Sequence, residues 1–207
     1  MIIWHRDDEL ILASASPRRA ELLGQIGIPF RRVVSGVNED LQDPANPKEH
    51  VRVLSRRKAE DVTGRLSSGI VLGADTVVVL DEHILGKPDD EKAAAGMLHL
   101  LSGRTHQVYT GLTLIDAARK TSVSHVEITE VSFRELTSEE IDAYVATGEP
   151  LDKAGAYGIQ GKGALLVRGI RGCYFNVVGL PLAGMVKALR RLEEDPDSTS
   201  VGPQKSS

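Results

Sequence analysis

The sequence predicts an α/β domain built on a mixed, twisted sheet with helices on both faces. Three observations predict it. Short apolar runs of strand length alternate with helical stretches in the first half, the pattern of βαβ crossovers. Two long segments, Gln107 to Asp116 and Ser122 to Leu136, flank Ala117-Ala118-Arg119-Lys120 and read as an antiparallel hairpin. Neither a repeat nor a linker between two cores is visible, so residues 1–194 read as one domain and the Pro-, Ser- and Asp-rich residues 195–207 as a disordered tail.

The elements follow in order. Leu10 to Ala13 is a buried strand, and Ser14-Ala15-Ser16-Pro17 switches it into a helix over about 17–26 that stops at Gly27. Phe30 to Val34 is a second strand. A polar loop, Gly36 to Pro47, leads to a long helix over about 48–65. Ile70 to Leu80 is the strongest strand in the chain and His83 to Leu85 a short one. Gly86-Lys87-Pro88 opens onto a helix over about 89–101 with acidic residues in its first turn, as the dipole prefers. After the hairpin, Thr137-Ser138-Glu139-Glu140 is a capping box opening a helix that ends at Gly148. A glycine-rich loop spans Ala154 to Gly163, strands are predicted at about 164–168 and 173–178, and Pro181 opens the last helix, to about Leu192.

Composition narrows the function. Among 207 residues, 41% are hydrophobic and 26% charged, the balance of a soluble globular protein rather than a disordered or collagenous one. With 25 basic and 29 acidic side chains the net charge is −4, which argues against a nucleic-acid partner. A single cysteine, Cys173, excludes an intrachain disulfide and a cysteine-based zinc site and suits a reducing cytoplasm. No apolar run is long enough to cross a bilayer, and the N-terminus reads as neither signal nor transit peptide, so no membrane partner is expected.

The informative residues are polar groups that contradict their surroundings. Arg18 and Arg19 fall in the first turn of a helix, where cations oppose the dipole. An anion held by free backbone N–H groups, the Ser14 and Ser16 hydroxyls and two guanidinium forks removes the conflict; two solvated arginines are the bland alternative. Lys58 falls within the apolar stripe Val51, Leu54, Val62, Leu66, so its ammonium must find an anion or snorkel to solvent. Asp75 interrupts a run of strand formers, as a metal ligand, a general base or a tie to a neighbouring loop. Its small neighbours Gly73 and Ala74 leave room for a ligand beside the backbone. Lys87 is held extended by Pro88, with a plain turn bearing an exposed lysine as the alternative. In Asp152 to Gly163 the glycines around Gln160 allow close backbone approach to a ligand, and its amide both donates and accepts, which suits a base edge; a flexible surface loop is the alternative. Glu39 lies in an acidic loop that solvent alone could explain. Walker A, dinucleotide-binding, His-Glu-x-x-His and Gly-x-Ser-x-Gly patterns are all missing.

Taken together, Ser14-Ala15-Ser16-Pro17-Arg18-Arg19-Ala20-Glu21-Leu22-Leu23, Gly73-Ala74-Asp75-Thr76-Val77-Val78, Gly86-Lys87-Pro88, Leu101-Ser102-Gly103-Arg104-Thr105-His106, Ala154-Gly155-Ala156-Tyr157-Gly158-Ile159-Gln160-Gly161 and Val178-Gly179-Leu180-Pro181 resemble the Maf family of nucleotide pyrophosphatases, also called septum-formation inhibitors. The resemblance implies a fold similar to inosine triphosphate pyrophosphatases, with a cleft between two lobes. It implies hydrolysis of a nucleoside triphosphate to monophosphate and pyrophosphate with a divalent metal, Mg²⁺ or Mn²⁺, in a homodimer. On the family's motif Asp75 is the proton acceptor and a metal ligand, Glu39 a metal ligand, and Arg18, Arg19, Lys58 and Lys87 hold the phosphates. Arg18, Thr76 and Gln160 match the branch acting on dTTP and UTP; the 7-methyl-GTP branch carries a bulky aromatic residue, Gln and Glu there. Asn38 departs from the acidic residue expected before Glu39 and leaves the metal shell one charge short. A nucleotide-binding regulator of cell division, acting through a protein partner, is the alternative from another class.

Overall fold

A computed structural model describes residues 8–39 and 46–194; the predicted tail 195–207 lies outside them. Seven strands form one sheet: β1 (Leu10–Ala13), β2 (Phe30–Arg32), β3 (Ile70–Leu80), β4 (His83–Leu85), β5 (Thr105–Asp116), β6 (Ser122–Phe133) and β7 (Val167–Arg171). The order is β2-β1-β3-β5-β6-β7, with β4 also paired to β3. Only β2, β1 and β3 are parallel, and the hairpin β5–β6 and its neighbours complete a mixed sheet.

Helices cover both faces. Helix α2 (Pro47–Thr63) lies on one face, where Val51, Ala59 and Val62 meet Ile11, Ala13, Val71, Val77 and Val79. Its N-cap is Asn46, whose side chain accepts from the Lys48 and Glu49 amides, and Pro47 takes the first helical position. The helix sits unusually close to the sheet. A Cβ on Gly73 would fall 2.2 Å from the Ser55 carbonyl oxygen, and one on Gly111 2.3 Å from that of Val51. The space beside Gly73 therefore belongs to α2 and not to a ligand, and Ala74 is itself fully buried, which corrects the expectation from sequence.

The opposite face carries two separate cores. Near the parallel edge, Leu10, Leu12, Ile70, Leu72, Ala74, Leu112 and Leu114 are covered by α1 (Pro17–Gln25) and α6 (Leu182–Glu194). Towards the far ends of the same strands, Val78, Leu80, Val108, Val131 and Phe133 are covered by α3 (Glu91–Leu101) and α4 (Ser138–Val145). The capping box of α4 forms as predicted, with Thr137 and Glu140 bonding each other's backbone amides. Between the two cores lies a polar seam, the register pair Thr76 and Thr110.

The last third departs from expectation. Residues 173–178, predicted as a strand, form the short helix α5 (Tyr174–Val178), and the strand predicted at 164–168 falls at β7, preceded by a 3₁₀ segment at Gly161–Leu166. A short apolar run does not distinguish strand from helix by itself. Here the decision is tertiary: Gly172 and Gly179 bound the turn at positive φ, and the fully buried Asn176 amide donates to the Val108 carbonyl and to Thr129 Oγ1.

Candidate active site

The site is an interruption in the sheet. Strand β1 pairs with β3 only as far as Gly73, and β4 pairs with it only from Val78. Between them, residues 74–77 of β3 turn an edge towards a cleft of about 740 Å³, within the range of small-molecule sites. Ser14, Ser16, Arg18, Arg19, Glu39, Lys58, Asp75, Thr76, Lys87 and Gln160, the ten side chains expected to bind or react, line this one cleft.

Strand periodicity divides the lining. Asp75 points to the α2 face and Thr76 to the opposite one. On the α2 face, Lys58 Nζ donates to Asp75 Oδ1 at 2.7 Å and pairs with Glu39 Oε1 at 2.7 Å, while Lys87 Nζ lies 3.6 Å from Glu39 Oε2. Lys58 and Asp75 are each only 6% exposed. The close seating of α2 on Gly73 and on Gly111, the register partner of Asp75, is what lets Lys58 reach so short a distance. Partial burial pushes the Glu39 carboxyl up, but the Lys58 hydrogen bond and the charges of Lys58, Lys87 and Arg19 outweigh it and hold it below the usual range.

On the opposite face Arg19 is the organising group. Its guanidinium donates to the Gly179 carbonyl (Nε, 2.9 Å), to Ser14 Oγ and the Ala74 carbonyl (Nη1, both 2.9 Å) and to Thr76 Oγ1 (Nη2, 3.1 Å). It thereby caps the open edge of β3. These acceptors are neutral, and among the described residues no carboxylate bonds it. Burial pulls its pKa down, partly opposed by the charges of Asp75 and Glu39, yet a guanidinium keeps its proton. A buried cation without a bonded counter-ion favours an anion in the cleft. Arg19 was expected to hold phosphate; four of its five donors are spent inside the protein. Arg18 is more open and reaches Asp152 Oδ2 at 3.0 Å, linking α1 to the loop beyond α4.

Helix α1 starts at the cleft with no side chain capping its N-terminus. Ser16 is the N-cap by position and backbone, but its hydroxyl makes no capping bond, and no acidic residue stands in the first turn. Among the described residues the lining carries five cations, Arg18, Arg19, Lys58, Lys87 and Lys153, against four carboxylates, Glu39, Asp75, Asp89 and Asp152, in a chain of net charge −4. The glycine-rich loop brings Gln160 to the wall. Its glycines mainly allow the chain to approach itself: a Cβ on Gly155 would strike Val78, and one on Gly163 would strike the Gly158 carbonyl.

Sequence reasoning gave no role to His50, Asp152, Lys153 or Tyr157, which also line the cleft. Tyr157 donates or accepts at 2.8 Å with His106 Nε2, deep in the second core. No polar misplacement marked these residues. As to metal, no cluster of three His, Cys, Asp or Glu side chains exists among the described residues. Glu39 and Asp75, sharing one lysine, fit the way Mg²⁺ is held beside a nucleotide, by one or two carboxylates plus phosphate oxygens.

Comparison with known proteins agrees on kinship. A family model described as Maf-like protein matches residues 9–192. A dTTP/UTP pyrophosphatase of Moorella thermoacetica is 55% identical over 182 residues, 87% of this chain and 93% of that protein. Relatives of the same name from Pelotomaculum thermopropionicum and Bacillus cereus are each 52% identical, over 88% and 90% of this chain and 96% and 97% of theirs. Among solved structures, the Staphylococcus aureus Ham1 protein aligns with 90% of this chain and 98% of its own at a TM-score of 0.48 and 12% identity.

Proposed function

This chain belongs to the Maf-like protein family, and from that kinship and the cleft we infer that it hydrolyses dTTP and UTP to the monophosphate and pyrophosphate. The observation that carries the reading is the convergence of the misplaced polar side chains, four of them cations, on one cleft. Such a cleft suits a triphosphate, and the relatives bearing the dTTP/UTP pyrophosphatase name are similar over nearly their whole length.

The residues divide the work. Lys58 and Lys87, with the free N-terminus of α1 and Arg18, neutralise the triphosphate and the charge that builds on the leaving pyrophosphate. Asp75 keeps one carboxylate oxygen on Lys58 and offers the other to a water aimed at the α-phosphorus. The water loses its proton to Asp75 as its oxygen bonds phosphorus, and the bond from the α-phosphorus to the bridging oxygen breaks. Glu39 and Asp75 would hold a divalent cation, Mg²⁺ or Mn²⁺, which supplies charge neutralisation and orientation of the phosphates. Gln160 and Thr76 read the base. A cytoplasmic location and a homodimer belong to the same proposal.

The test is a panel of nucleoside triphosphates with Mg²⁺ or Mn²⁺, analysed for products. The reading expects monophosphate and pyrophosphate in equal amounts, with dTTP and UTP preferred. Diphosphate and orthophosphate, or binding without product, would overturn it.

A further inference from the structure

The seam between the two cores fixes more than shape. Thr110 is fully buried, and its Oγ1 lies 2.9 Å from Thr76 Oγ1 and 3.0 Å from the Asn176 carbonyl oxygen. A hydroxyl has one proton to donate and two lone pairs. The Asn176 carbonyl can only accept. If Thr110 gave its proton to Thr76 instead, two bare lone pairs would face each other at 3.0 Å between Thr110 and Asn176. The arrangement that satisfies both contacts has Thr110 donating to Asn176 and Thr76 donating to Thr110. Thr76 has then spent its proton. One of its lone pairs takes Arg19 Nη2 at 3.1 Å, and what remains for the cleft is a single lone pair.

Ser14 shows the opposite polarity. Its Oγ accepts from the Ser16 amide at 3.2 Å and from Arg19 Nη1 at 2.9 Å. Both lone pairs are filled, so it offers the cleft only its proton. The same arginine therefore helps to leave one hydroxyl as a pure donor and the other as a pure acceptor. Space above Thr76 is kept open by Gly179, whose φ is +120° and where a Cβ would stand 3.5 Å from Thr76 Oγ1.

We propose that Thr110 is a positioning residue that locks Thr76 as a hydrogen-bond acceptor, so that Thr76 receives the imide N3–H of a uracil or thymine base. This rests on the dTTP/UTP reading and deepens it. Uracil and thymine carry one N–H on their pairing edge, at N3, whereas cytosine carries a lone pair there. A lone pair facing a lone pair rejects cytosine, because the hydroxyl cannot rotate to donate without breaking its bond to Thr110. Guanine and adenine are left to the walls of the cleft.

The test is kcat/KM for UTP and CTP in the wild type, Thr110→Val and Thr110→Ser. Valine matches threonine in shape but releases the Thr76 hydroxyl, which can then turn and donate to cytosine N3. The UTP:CTP ratio is expected to fall about tenfold in Thr110→Val, the worth of one hydrogen bond, chiefly through a lower KM for CTP. Thr110→Ser retains the chain of hydroxyls and should keep the wild-type ratio. A folded Thr110→Val with an unchanged ratio overturns the proposal. Should Thr110→Val lose its cooperative unfolding, Thr76→Val and Thr76→Ser decide instead: the ratio falls in the first and holds in the second, and an unchanged ratio in Thr76→Val overturns the proposal. A wild type that hydrolyses neither UTP nor dTTP refutes the function and this inference together; a wild type that prefers UTP beside an indifferent Thr110→Val refutes the inference alone.

Discussion

Asp75 and Thr76 are adjacent on one strand, yet they stand in two different kinds of site. On the α2 face, Asp75, Glu39, Lys58 and Lys87 are held by charge, with Lys58 shared between two carboxylates. Ion pairs of this kind have little directional preference, and an arriving phosphate or cation can redistribute them. On the opposite face, Thr76, Thr110, Ser14 and Arg19 are held by hydrogen bonds to neutral groups whose directions are fixed. The first arrangement can follow a reaction in which charge moves; the second suits the reading of a base edge that does not change. The period of two along a strand separates the tasks with no extra element.

That contrast can be broken or sharpened by experiment. The largest effect is expected at Asp75. Asp75→Asn keeps shape and removes basicity, so kcat should fall at least ~100-fold while nucleotide binding, followed by calorimetry, is largely retained. Near-wild-type turnover removes Asp75 from the role of base.

The second effect is on stability and belongs to the hydroxyl side. His106 lies beyond Thr110 on the same face of β5, 2% exposed, and burial pushes its pKa down to about 4. The unfolded chain, near 6.5, binds the proton more readily than the folded one. The stability that the neutral imidazole contributes is therefore fully present above about pH 6.5 and is lost as pH falls towards 4, by about 3 kcal/mol from this one group. Denaturant unfolding at stepped pH should show this slope, flattened in His106→Gln; an equal slope in both proteins assigns it elsewhere.

A smaller effect separates the two faces directly. Gly111→Ala presses a methyl group against the Val51 carbonyl and should cost about 1–3 kcal/mol. It lifts α2, and with it Lys58, away from Asp75, so kcat should fall while the UTP:CTP ratio stays near wild type. A change in that ratio would mean that the faces are coupled. Smallest of all, Asp152→Asn removes the partner of Arg18 in a pair whose carboxylate side chain is 60% exposed, and thermal unfolding should register less than about 1 kcal/mol.

Much of this was legible in the sequence because it showed as conflict. Lys58 within an apolar stripe, Asp75 amid strand formers and two arginines at a helix start each violate a local rule, and each stands in the cleft. The α4 capping box is a local motif and was equally plain. What escaped detection has no local signature. Thr110 and Asn176 look like ordinary residues of apolar segments, and their bond joins positions 66 residues apart. Gly73 could be recognised as space, but only the tertiary fold assigns that space to α2. The α5 run resembles a strand until Asn176 is seen to anchor it to β5 and β6.

The central claim is that water attacks the α-phosphorus beside Asp75, and isotope placement tests it most directly. Hydrolysis of dTTP in ¹⁸O-labelled water, with products resolved by mass spectrometry, should put one ¹⁸O into dTMP and none into pyrophosphate. Label recovered in pyrophosphate, or in orthophosphate beside dTDP, would contradict the account.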